Sequence, residues 1–128
     1  MKAILDTQTF LWWNMDDPQL SVTARQFIMD GSHTLFLSAA SAWEIAIKCA
    51  RGRLSLPEPP QEYVPARMQS QSIQSLSIQV SHALRVFQLP DLHQDPFDRL
   101  LVAQSQMEKI PIITADAAIA RYGVEVIW

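Results

Sequence analysis

Apolar positions along this chain fall into short runs that alternate with stretches of helical spacing. Residues 3–5 form an apolar run that ends in Asp6-Thr7, the pattern of a buried strand turning into residues 8–13. From 20 to 29 the apolar residues Leu20, Ala24, Phe27 and Ile28 repeat with a helical period, and Gly31 is a plausible stop. Strand character returns at 34–38. A helix is then expected over 41–51, apolar at Trp43, Ile45, Ala46, Ile47 and Ala50 and closed by Gly52.

The stretch 54–72 is the least regular, with Pro57, Pro59, Pro60 and Pro65 around one expected helix; residues 57–60 read as a turn and not as a domain linker. Residues 76–78 suggest a short strand and 80–89 a helix ended by Pro90. The strongest helix signal begins at Asp95-Pro96, with Asp95 as cap and Pro96 in the first position, and runs through Leu100, Leu101, Ala103 and Met107. A strand at 110–114, a short helix at 116–121 and a last strand at 124–127 complete the chain. There are no repeats and no low-complexity tract. Strands alternating with helices predict an α/β sandwich around a mainly parallel sheet.

With 128 residues, 48% of them hydrophobic, the chain has the size and the core of one domain, residues 1–128. No run of about 18 apolar residues is present, and the N-terminus lacks a signal-peptide layout, so the expected location is the cytoplasm, with no membrane partner. Cys49 is the only cysteine, which excludes an internal disulfide and a multi-cysteine zinc site. Among Ala46, Ile47 and Ala50 it reads as packed core.

In such sheets ligands bind beyond the carboxyl ends of the strands, near the point where strand order reverses. That rule directs attention to four acids. Asp6 directly follows the first strand, and Asp116 follows the strand at 110–114 by one residue. Glu44 lies in the first turns of the helix after the second strand, and Asp98 in the first turn of the helix opened by Asp95-Pro96. Each also has an ordinary explanation. Ser41 and Glu44 match a capping box, Asp98 and Asp116 suit the positive ends of helices, and Asp6 can cap the helix after it. Taken together, clustered carboxylates persist only by sharing protons or binding cations, and hard oxygen donors suit Mg²⁺ or Mn²⁺. Such ions promote phosphodiester hydrolysis.

The net charge of −3 appears at odds with a nucleic-acid substrate. Setting the four acids aside leaves 9 acidic against 10 basic residues, so the acidity is largely that of the site. Thr7, Ser38 and Thr114 stand at strand ends, where a hydroxyl can orient a water or a carboxylate, or simply cap a helix. Arg99 can bind phosphate or lock Asp98 in place. Lys48, Arg51 and Arg53 read as a solvated helix end. His33, His82 and His93 lack metal-ligand spacing and read as surface or satisfied polar residues, and Trp12, Trp13, Trp43 and Trp128 as packing. Three glycines, at 31, 52 and 123, cannot build a phosphate loop.

Four segments together resemble the PIN-domain ribonucleases, in particular their VapC-type toxin members. These are Ile4-Leu5-Asp6-Thr7; Ser38 through Trp43-Glu44 to Lys48; Asp95-Pro96-Phe97-Asp98-Arg99 to Gln104; and Thr114-Ala115-Asp116. The resemblance spans nearly the whole chain. It implies a three-layer sandwich with a five-stranded, mainly parallel sheet, and Asp6, Glu44, Asp98 and Asp116 as the residues that bind Mg²⁺ or Mn²⁺ to cleave RNA. Of the four, Asp116 matches the least uniform position of the family. The resemblance further implies a homodimer and a cognate antitoxin that covers the site.

Rival readings are a receiver-like signalling module and a PIN-like domain that binds without cutting. A receiver needs a pair of acids near the end of strand one and a late lysine, and an Asp-x-Asp phosphatase needs an acid at position 8. This chain has Asp6-Thr7-Gln8 there.

Overall fold

Alternate residues of the first strand, β1 (Lys2–Leu5), enter two different cores: Ala3 and Leu5 on one face of the sheet, Ile4 on the other. The same alternation runs through β2 (Thr34–Ser38), where Leu35 and Leu37 oppose Phe36, and through β4 (Ile112–Ile113). A strand covered on both faces reads as a continuous apolar run, which is why these segments show no polar side. In the computed structural model, which describes residues 1–128, β3 (Gln74–Leu76) and β5 (Val126–Ile127) complete a five-stranded sheet in the order β3-β2-β1-β4-β5. Every pairing is parallel, with Ala3 opposite Leu35 and Ile4 opposite Ile112.

One face is covered by α1 (Thr7–Asn14), α2 (Val22–Met29), α3 (Ala39–Ala50) and α4 (Pro60–Ser70), through Phe10, Ala24, Ile45 and Tyr63. The other is covered by α6 (Pro96–Glu108) and α7 (Ala117–Ala120), through Leu101, Val102 and Ile119, with α5 (Val80–Arg85) packed on α6. This is the three-layer sandwich expected. No helix is long and apolar enough to cross a membrane.

Several boundaries differ from expectation for identifiable reasons. Helix α3 begins at Ala39, because the Ser38 hydroxyl accepts the Ala40 amide at 3.0 Å and so acts as the cap. Ser41 lies inside the helix, and the capping box expected between Ser41 and Glu44 does not form. The segment expected as one helix over 80–89 tightens after Arg85 into a 3-10 turn, Val86–Gln88, because Pro90 holds Leu89 extended at ψ 140°. Strand β3 pairs two residues earlier than the apolar pattern suggested, in register with Phe36, Leu37 and Ser38. As expected, Asp95 caps α6, accepting from the amides of Phe97 and Asp98.

The chain leaves β1 toward β2 on one side, while β4 joins β1 on the other. Strand order therefore reverses beside β1, and a crevice opens at the carboxyl ends of β1 and β4.

Candidate active site

Asp6 follows β1 into that crevice and caps α1, its Oδ1 accepting the Thr9 amide at 2.7 Å. Its Oδ2 accepts the hydroxyl of Thr114, the residue after β4. Only 7% of the residue is exposed, and burial raises its pKa above the carboxylate range although the bonds from Thr114 and Thr9 oppose the shift.

Glu44, 5% exposed in α3, accepts the Thr7 hydroxyl at 2.6 Å through Oε1 and pairs with Lys48 Nζ at 2.6 Å through Oε2. A carboxylate so deeply placed needs this compensation, which the one-turn spacing of Glu44 and Lys48 supplies. Asp98 enters from the first turn of α6. Burial first, then the charges of Asp95 and Asp6, push its pKa to about 7. Asp116 caps α7 through Oδ1 and turns Oδ2 inward.

The four acids predicted from the sequence thus line one cleft of about 340 Å³, shared with Asp95 and Lys48. Capping and clustering turn out to be compatible, since Asp6 and Asp116 each spend one oxygen on a helix amide and keep the other for the crevice.

Sequence reasoning missed the role of His93. Instead of standing at the surface, the ring lies between two of the acids, with Nε2 2.9 Å from Asp98 Oδ2 and 2.8 Å from Asp116 Oδ2. Burial disfavours its charged form, but the hydrogen bond His93 donates to Asp116 and the charges of Asp98, Asp116 and Asp95 outweigh that and raise its pKa. The only signal in the sequence was its position, two residues before the cap Asp95, from which a side chain can fold back onto the helix end. By contrast His33 stacks on Phe27 and pairs with Asp30 through Nε2 while its buried Nδ1 has no partner, and His82 is buried and satisfied in the capping box of α5.

Lys48 also departs from expectation, since it pairs with Glu44 at the cleft instead of marking a solvated helix end. Arg99 neither touches Asp98 nor lines the cleft. Its guanidinium bonds the carbonyls of Pro90 and Val86 and the Tyr122 hydroxyl, fastening the 3-10 turn to α6. Ser38 donates to Gln104 Oε1 at 2.6 Å and so joins α3 to α6 away from the acids. Of the two uses open to them, capping or orienting a neighbour, Thr7 and Thr114 direct their hydroxyls at the carboxylates of Glu44 and Asp6. Trp12 packs with Trp128 and reaches the cleft wall, while Trp43 is 60% exposed and stands edge-on to Phe97. Cys49 packs against the core.

An open, oxygen-lined crevice at a parallel-sheet switch point offers the hard donors that a divalent cation takes. The chain belongs to the PIN-domain family, whose description it matches over residues 3–125. It is similar to Ribonuclease VapC16 of Mycobacterium tuberculosis (strain ATCC 25618 / H37Rv), with 42% identity over 69 residues. That match spans 51% of this chain and 49% of the relative, so about half the length of the relative is matched. In fold it is similar to VapBC2 from Rickettsia felis bound to a DNA fragment from their promoter, at TM-score 0.72 and 11% identity over 98% of this chain and 97% of the other. A toxin-antitoxin complex from Klebsiella pneumoniae is similar at TM-score 0.61 and 16% identity, over 89% and 86% of the two chains.

Proposed function

We propose that this chain is a divalent-metal-dependent endoribonuclease and the toxin of a toxin–antitoxin pair. The observation that carries the reading is the convergence of Asp6, Glu44, Asp98 and Asp116, from four separate elements of a PIN-domain chain, on one cleft. The ribonuclease name of the Mycobacterium tuberculosis relative supports the activity, and the shared fold of the Klebsiella pneumoniae complex agrees with an antitoxin partner. A homodimer and a place in the cytoplasm follow from the family resemblance.

The residues present fit Mg²⁺ or Mn²⁺. Five carboxylates line the cleft, with Lys48 on Glu44 and His93 on Asp98 and Asp116, an oxygen-rich donor set that suits a hard cation. Asp6, Glu44, Asp98 and Asp116 would hold the ion. Bound there, it would supply the charge that polarises a scissile phosphodiester toward attack by water. Thr114 and Thr7 fix the directions of Asp6 and Glu44 through their hydroxyls. The Lys48 side chain is 39% exposed and can offer its remaining hydrogens to a substrate phosphate.

The test is cleavage of total RNA by the purified protein with Mg²⁺ or Mn²⁺, compared with the Asp6→Asn variant. Cleavage by the parent alone is expected. Equal activity of the two overturns the reading, and the sequences at the cut ends identify the substrate.

A further inference from the structure

The segment that carries His93 lies between the 3-10 turn and α6, outside every helix and strand. Its backbone is not held by a regular ladder, yet its ring is fixed at both ends. Nδ1 lies 3.2 Å from the backbone nitrogen of Asp95, whose only hydrogen must point at it, so Nδ1 is the acceptor. The hydrogen of the neutral ring then sits on Nε2, between Asp98 Oδ2 and Asp116 Oδ2 at 2.9 and 2.8 Å.

This orientation decides between two roles. A ligand histidine offers a lone pair at Nε2 and carries its hydrogen on Nδ1. Here that would set a ring N–H against the Asp95 N–H. The ring faces the acids as a donor, not as a ligand.

We propose that His93 is an internal competitor for the cation: its Nε2–H takes the oxygens of Asp98 and Asp116 that the ion needs, and loading the site requires the ring to withdraw. The inference rests on the reading of the cleft as a divalent-metal site. The contact has a clear use. Asp98 and Asp116 come from different helices, and a shared donor holds them together when no ion offsets their repulsion. The same bonds are lost on loading, so they lower the apparent affinity for the ion.

Calorimetric titration of the full chain with MnCl₂ at pH 8 tests this in the parent, His93→Ala and Asp98→Asn. Removing His93 is expected to tighten Mn²⁺ binding about tenfold, the scale of a hydrogen bond to a charged group. Asp98→Asn is expected to weaken it. Unchanged or weaker binding by His93→Ala, while Asp98→Asn loses affinity, overturns the competitor role and leaves the metal site standing. No Mn²⁺ binding by the parent overturns both.

Should His93→Ala fail to fold, ¹⁵N spectra of the parent imidazole decide. The expected result is a metal-free ring protonated at Nε2 whose resonances move on adding Mg²⁺. A ring protonated at Nδ1, or one indifferent to Mg²⁺, overturns the proposal.

Discussion

Thr114 donates its hydroxyl to Asp6 Oδ2 across the point where strand order reverses, tying the end of β4 to the end of β1. The same Thr114 oxygen accepts the amide of Asp116 at 3.0 Å, so one side chain orients two of the four acids. Asp6 is further fixed by the Thr9 amide. Around Asp6 the crevice is therefore shaped by neutral hydroxyls and amides, which direct its oxygens without adding a counter-charge.

Replacing Thr114 by Val removes both bonds and leaves Asp6 Oδ2 buried without a donor, while Oδ1 keeps the Thr9 amide. The expected outcome is a loss of about 1–3 kcal/mol in a denaturant titration, with weaker Mg²⁺ binding. Thr114→Ser, which keeps the hydroxyl, should recover most of the metal affinity. If Val and Ser variants bind Mg²⁺ equally, the hydroxyl does not position Asp6.

Asp6→Asn and Asp98→Asn should each lower RNA cleavage by about a hundredfold or more in single-turnover assays. Asn retains an oxygen that can cap α1, so Asp6→Asn should fold normally. Without metal either variant should melt at the parent temperature or above it, because a repelling charge is gone.

Metal-free stability should fall as pH rises from 5 to 8. Asp98, raised to about 7, and Asp6 and His93, both raised, bind protons more tightly in the folded chain than in the unfolded one. Asp98 therefore holds its extra proton in the folded state between about pH 4 and 7 and His93 holds one above about pH 6.5, and the stability they confer is lost as pH rises through those windows. A fall in melting temperature of roughly 3–6 °C is expected for the parent, and a smaller one for Asp98→Asn. A pH-independent melting temperature in the parent would contradict the charge clustering.

Mg²⁺ or Mn²⁺ should raise the melting temperature of the parent at pH 8 by more than that of Asp98→Asn. At about a hundred times Kd the stabilisation is about 2.7 kcal/mol. Equal shifts in both proteins would mean that Asp98 does not contribute to binding.

Arg99→Ala should reduce stability by about 1–2 kcal/mol while leaving KM for RNA near the parent value, since its guanidinium serves carbonyls and Tyr122 and not the cleft. A large rise in KM with unchanged stability would restore a phosphate-binding role.

The sequence by itself determined the layers and the positions of the four acids. Apolar runs such as Ala3-Ile4-Leu5, covered on both faces, can only be inner strands, and local signals such as Asp95-Pro96 fix a helix start within a few residues. Because each acid sits beside a strand end or a helix start, its arrival at the carboxyl edge followed from the alternation of elements alone. The partners of those acids were decided only by tertiary structure. Thr7 meets Glu44 across 37 residues and Thr114 meets Asp6 across 108, distances over which periodicity carries no information. His93 and Arg99 show the same limit: both flank the start of α6, yet one turns into the crevice and the other away from it. Sequence spacing places a backbone on an element, whereas the direction of a long polar side chain is chosen by whichever buried donor or acceptor would otherwise lack a partner.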